Sequence, residues 1–148
     1  MGEQPLRIAF VDDDEDDHHI FSEAIQSLNR DYVLFHAYQC NDLFDLLKRE
    51  TIDIIFLDIR MPLRNGHECL KDIKATANLA QIPVIIFSTS RHDHDIDEAY
   101  EAGAQNYIIK PADYGAIVNA IQKVLMSDWQ KADRKPPREE FVIDEVEM

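Results

Sequence analysis

The chain has 148 residues, of which 45% are hydrophobic and 30% charged. That is one domain of ordinary size with an apolar fraction too high for wholesale disorder. The 29 acids against 15 bases leave a formal charge of −14, which argues against nonspecific nucleic-acid binding, since that relies on Lys and Arg neutralising phosphates. No apolar run approaches 18 residues, so no membrane span is expected, and the opening MGEQPLR lacks the layout of a secretory signal.

In chain order, Leu6 to Val11 is a short apolar run that ends in acids and predicts a buried strand. Ile20, Phe21, Ala24, Ile25 and Leu28 recur at helical spacing. Tyr32 to Tyr38, rich in aromatic and branched residues, predicts a second strand. Asn41 is a candidate N-cap for a helix carrying Leu43, Phe44, Leu46 and Leu47. The third strand, Ile52 to Leu57, is apolar throughout, as suits a strand covered on both faces. A loop from Met61 to Gly66, broken by Pro62, leads to a helix over Glu68 to Ala77, and Ile82 to Phe87 is the fourth strand. A helix from Asp93 to Ala102 stops at Gly103, a residue suited to a left-handed cap. Asn106 to Ile109 forms the fifth strand, and Asp113 caps a last helix bearing Ile117, Ala120, Ile121, Val124 and Leu125.

Five strands alternating with five helices predict an α/β fold: a doubly wound parallel sheet with helices on both faces and ligands at the carboxyl ends of the strands. Residues 5–127 make this domain. Residues 128–148 read as a flexible tail, although Phe141-Val142-Ile143 is apolar enough to dock. Cys40 and Cys69, without a CxxC spacing, read as buried free thiols.

Each strand delivers polar residues to one rim: Asp12, Asp13 and Asp14 from the first, Asp58 from the third, Ser88 and Thr89 from the fourth, Lys110 from the fifth. Crowded carboxylates raise one another's pKa or recruit a cation, and Mg²⁺ takes such oxygen ligands. A lysine beside them suits a phosphate oxygen, a hydroxyl adds a hydrogen bond, and one central carboxylate suits a nucleophile. The set predicts phosphoryl transfer to an aspartate.

At this point the chain resembles the receiver domain of two-component response regulators, of the single-domain, chemotaxis-regulator type. The matching segments are Phe10-Val11-Asp12-Asp13, Leu57-Asp58-Ile59-Arg60-Met61-Pro62 with Gly66, Pro83-Val84 through Ser88, Gly103-Ala104, and Tyr107-Ile108-Ile109-Lys110-Pro111. The resemblance implies a flavodoxin-like five-stranded sheet in the order 2-1-3-4-5. It implies that Asp58 is the phosphoacceptor and that Asp12 and Asp13, with Asp58 and the backbone carbonyl of Arg60, hold Mg²⁺. Ser88 would follow the phosphoryl group, Tyr107 would be the aromatic switch, and Lys110 would bind a phosphoryl oxygen. The Lys110–Pro111 bond would be cis, Arg60 and Ser90 would tune phosphoryl lifetime, and Ala112 stands where a Phe is frequent. Six consecutive acids, Asp12 to Asp17, leave the register of the acid pair open by one; Asp12/Asp13 is preferred because Val11 then closes the strand.

The implied function is a cytoplasmic switch, not a turnover enzyme. It would be phosphorylated by a sensor histidine kinase or a histidine phosphotransfer protein and would signal by protein contacts at the face of the fourth helix, fifth strand and fifth helix. No output domain, nucleic acid or membrane is expected, and a homodimer is allowed. Two alternatives stand beside it. One is a Mg²⁺-dependent phosphatase of the haloacid-dehalogenase type, which Asp16 in the Asp12-x-Asp14-x motif disfavours. The other is a receiver fold used for binding alone. Asp12-x-Asp14-x-Asp16 also mimics an EF-hand loop, but Asp17 stands at its glycine position. His18-His19, and His92 and His94 with Asp93 and Asp95, read as solvated helix starts, as do Asp16 and Asp17.

Overall fold

The computed structural model describes residues 4–62, 65–127 and 135–145. The elements are β1 (Leu6–Val11), α1 (Glu15–Gln26), β2 (Tyr32–Ala37), α2 (Cys40–Arg49), β3 (Ile54–Leu57), α3 (Gly66–Ala75), β4 (Val84–Ser88), α4 (Asp93–Glu101), β5 (Asn106–Ile109), α5 (Tyr114–Leu125), α6 (Arg138–Phe141) and β6 (Val142–Asp144). The first ten alternate as the sequence predicts. Boundaries move by about two residues. Asn41 lies inside α2, whose N-cap is Gln39, while Asp113 caps α5 as expected by accepting from the Ala116 N–H at 3.0 Å. Gly103 follows α4 at φ +101°, a left-handed conformation that favours glycine.

All strand pairings are parallel, in the order β2-β1-β3-β4-β5-β6. Side chains alternate between faces along each strand, and both faces are apolar. Ala9, Val11, Ile55, Leu57 and Ile86 pack under α2, α3 and α4. Ile8, Phe10, Ile54, Phe56, Ile85 and Phe87 pack under α1 and α5.

Three expectations are corrected here. The sheet has six strands, not five: β6, from the C-terminal segment, pairs with β5 through Tyr107↔Val142, Ile108↔Ile143 and Ile109↔Asp144. Residues 135–145 of the expected flexible tail are therefore placed, with Phe141 buried in the core; residues 128–134 and 146–148 lie outside the described residues. Cys40 and Cys69 are not free thiols but a disulfide, with Cα atoms 5.9 Å apart. The two residues are 29 apart in sequence, but the first turns of α2 and α3 meet on one face of the sheet. Finally, the described residues hold no cis peptide, so the Lys110–Pro111 bond is trans. Among them, no helix is long and apolar enough to cross a membrane.

Gly66 shows how closely the start of α3 approaches the end of β3. Its N–H donates to the Ile59 carbonyl at 3.0 Å, and a Cβ there would stand 2.4 Å from the Asp58 carbonyl oxygen and 2.5 Å from Ile59 Cα. Both obstacles are backbone, which cannot swing aside. We expect Gly66→Ala to cost about 1–3 kcal/mol, measured by urea denaturation. A Gly66→Ala protein as stable as wild type would show that the loop yields freely.

Candidate functional site

The β-ladder continues one residue past each strand and fixes the rim. The Asp12 N–H donates to Ala37 O at 3.1 Å, Asp58 N–H to Val11 O at 2.9 Å, and Lys110 N–H to Ser88 O at 2.8 Å. Residues far apart in sequence are thereby set side by side with little backbone freedom.

Lys110 Nζ lies 2.8 Å from Asp12 Oδ2, 3.0 Å from Asp17 Oδ2 and 3.8 Å from Asp58 Oδ2. Asp12 and Asp58 are buried and Asp13 is exposed. One carboxylate oxygen from each of Asp12, Asp13 and Asp58 falls within 4.8 Å of the others. This favours the Asp12/Asp13 register. Asp58 Oδ1 accepts from the Arg60 N–H at 3.3 Å, and Asp12 Oδ1 from the Asp14 N–H at 2.9 Å.

Burial pushes the Asp58 carboxyl up to about 6; the Lys110 ammonium opposes this, and the neighbouring Asp12 and Asp13 charges reinforce it. Burial likewise raises Asp12, in spite of its bond to Lys110. Burial works to lower Lys110, but attraction to Asp58 and Asp12 outweighs it and holds the ammonium above its ordinary value. One ammonium thus faces more negative charge than it neutralises. The carboxylate oxygens are hard donors drawn from three residues within reach of one ion, so Asp12, Asp13 and Asp58 fit a divalent cation.

Beside this cluster, Ser88 is fully buried at the end of β4, and its Oγ accepts from the Ser90 N–H at 3.2 Å. Tyr107 is also fully buried, and its hydroxyl donates to the Ser90 carbonyl at 3.0 Å. Burial raises the Tyr107 pKa, partly offset by hydrogen bonding with Ser90 and Ser88.

The structure therefore brings together Asp12, Asp13, Asp58 and Lys110, with Ser88 and Tyr107 joined through Ser90. Four contributors went unread in the sequence. Asp17, taken for a solvated helix-start acid, pairs with Lys110 because the first turn of α1 folds back over the rim. Asp95 accepts from Ser90 Oγ at 2.5 Å and stands 3.2 Å from His67 Nε2. Burial opposes it, yet bonds from Ser90 and His67 hold the Asp95 carboxyl below its usual range. His18, expected in solvent, is buried, with Nε2 2.7 Å from the Asp12 carbonyl oxygen and Nδ1 2.7 Å from His36 Nδ1. Its one readable signal was the i, i+3 spacing to Phe21 on the inward face of α1.

Fold and rim together define a doubly wound α/β domain with a carboxylate–lysine site at the strand ends. The response regulator receiver domain profile matches residues 8–122, and the chain belongs to that family, whose members serve two-component signalling. The chemotaxis protein CheY homolog of Campylobacter jejuni is 29% identical over 122 residues, covering 81% of this chain and 92% of that protein. The probable methanogenesis regulatory protein FilR2 of Methanothrix harundinacea is 32% identical over 83 residues, covering 56% of this chain and 53% of that protein. The chain thus spans about half the length of FilR2 in that match. Among solved structures, the phosphorylated cyanobacterial phytochrome response regulator RcpA is similar with a TM-score of 0.75 and 26% identity, over 90% of this chain and 100% of that one.

The raised Asp58 carboxyl has a consequence for stability. A carboxyl whose folded-state pKa exceeds its unfolded value of 3.8 holds its proton more tightly when folded. Its contribution is present below about pH 4 and is lost as the pH rises to about 6. With EDTA present, we expect Asp58→Asn to be more stable than wild type at pH 7, by up to about 3 kcal/mol. The wild-type loss of stability from pH 4 to 6 should also flatten in the variant. Parallel urea titrations of the two proteins across this range check both; identical pH slopes would contradict the raised pKa.

Proposed function

We propose that this domain is a phosphorylation-controlled switch in which Asp58 accepts a phosphoryl group from a phosphohistidine. The observation that carries this reading is the single buried ammonium of Lys110 among Asp12, Asp17 and Asp58. It is a preset positive charge beside a carboxylate nucleophile. In the transfer, an Asp58 carboxylate oxygen forms a bond to phosphorus as the P–N bond to the donor imidazole breaks. The electron pair leaves with the imidazole, which takes a proton from solvent. Lys110, drawn towards the new phosphoryl oxygens, gives up part of its hold on Asp58. The Ser88 hydroxyl donates to another phosphoryl oxygen.

We assign the cation to Mg²⁺, held by Asp12, Asp13 and Asp58 with the Arg60 backbone carbonyl. When bound, it supplies charge neutralisation for the phosphoryl oxygens. The raised Asp58 pKa supports this, because the ionised cluster is short of positive charge. The donor is a sensor histidine kinase or a histidine phosphotransfer protein. We assign the domain to the cytoplasm, as membership of the family supports. The domain assists its own phosphorylation and dephosphorylation by positioning, and its output is a protein contact. The identity of the family supports these partners.

The test is intact mass after incubation with acetyl phosphate and Mg²⁺. Wild type should gain one phosphoryl group, Asp58→Asn should gain none, and EDTA should abolish the gain. No gain in a folded wild type would sink the reading. Lys110→Ala should still accept the group but lose most of the conformational response, read as hydrogen exchange in the loop after β4. An undiminished response in that variant would remove lysine from the switch.

A further inference from the structure

Residues 138–145 lie beyond the segment that matches the family, residues 8–122, yet they are anchored on the face of α4, β5 and α5. A three-residue parallel ladder is a weak attachment by itself. The anchor is Phe141, fully buried, with its ring 4.9 Å from that of Tyr100 and 6.3 Å from that of Tyr107. Burying such a side chain is worth roughly 1.5–3 kcal/mol. The Phe141 carbonyl also accepts from Asn106 Nδ2 at 3.1 Å. At the other end of β6, Arg91 grips Asp144 through two bonds of 2.7 and 3.0 Å.

Both anchors lead to the turn after β4. Phe141 helps to enclose Tyr107, whose hydroxyl donates to the Ser90 carbonyl. The Ser90 N–H donates to the oxygen of Ser88, the hydroxyl aimed at the phosphoryl group in the function proposed above. Arg91, the next residue, holds Asp144. The segment therefore reaches the turn by two routes, indirectly through the packing of Phe141 on Tyr107 and directly through the Arg91–Asp144 ion pair. While Phe141 is docked, Tyr107 is walled into the position in which it restrains Ser90. With Phe141 withdrawn, that position loses one of its walls.

We infer that residues 138–145 are a tethered ligand of the α4–β5–α5 face, and that their docking and phosphoryl binding at Asp58 favour each other through Phe141, Tyr107 and the Ser90–Arg91 turn. The segment occupies the face through which an output partner would bind, so a partner meets the docked segment as part of its surface. Phosphorylation tightens that surface. Linkage requires the coupling to be reciprocal: whatever the phosphoryl group adds to docking, docking adds to phosphoryl binding. Phe141 is a positioning residue here, acting through Tyr107.

The inference rests on the Asp58 reading, and the experiment separates the two. In the full chain with Mg²⁺, hydrogen exchange at the Val142–Asp144 amides is followed with and without beryllofluoride, a phosphoryl mimic. We expect exchange to slow about 5-fold or more with the mimic; unchanged or faster exchange would overturn the coupling. Beryllofluoride affinity is then compared among wild type, Phe141→Ala and Phe141→Leu. We expect Phe141→Ala to bind about 5-fold more weakly, Phe141→Leu to recover part of the loss, and Mg²⁺ affinity to stay the same in all three. Equal beryllofluoride affinities, or a matching loss of Mg²⁺ affinity that marks general loosening, would overturn it. A folded wild type that binds no beryllofluoride would overturn the Asp58 reading and this inference together.

Discussion

The site depends on the ammonium of Lys110. Asp12 and Asp58 are buried side by side, and two buried carboxylates without a cation would carry a large desolvation and repulsion cost. Lys110 reaches Asp12, Asp17 and Asp58 from the end of β5 and lets them stand close together. The compensation is partial, and the raised carboxyl of Asp58 records the shortfall. That shortfall is what makes the cluster receptive to a divalent cation. In the transfer proposed above, the ammonium is the group a phosphoryl oxygen would draw, so the interaction that holds the rim together is also the one a new anion would redirect.

The sheet sets the precision of this arrangement. Asp12, Asp58 and Lys110 are each tied by their own N–H to the neighbouring strand, so their backbone follows the ladder. The apolar faces, α2 to α4 on one side and α1 with α5 on the other, hold the ladder between two cores. The sixth strand extends the same construction at the β5 edge. An exposed β5 would present unpaired backbone groups; β6 covers them, and Phe141 joins the core that encloses Tyr107. The edge cover and the buried tyrosine next to the site thus share one hydrophobic cluster.

Much of this was legible before any coordinates. Apolar runs such as Leu6–Val11 and Ile82–Phe87 end in acids or hydroxyls, and a parallel sheet gathers such ends on one rim. Asp12, Asp13, Asp58, Ser88 and Lys110 were therefore readable as one set. Asp17 was not, because an acid in the first turn of a helix is stabilised by the dipole wherever it points, and its pattern does not reveal a lysine 93 residues away. His67 and Asp95 escaped for the same reason, since their meeting depends on how α3 approaches α4. β6 is three residues long, below any periodic signal, and only the open edge of β5 gives it a partner.

The sequence by itself determined which residues are apolar on both sides of each strand, where each strand ends, and hence which side chains share a rim. These are local properties of period and composition. Tertiary structure alone decided that Lys110 bonds Asp12 across 98 residues, that Cys40 and Cys69 join, and that Phe141 packs beside Tyr107. Each of these is a contact between elements whose relative placement is set by the packing of the whole sheet, and no local pattern encodes such a distance.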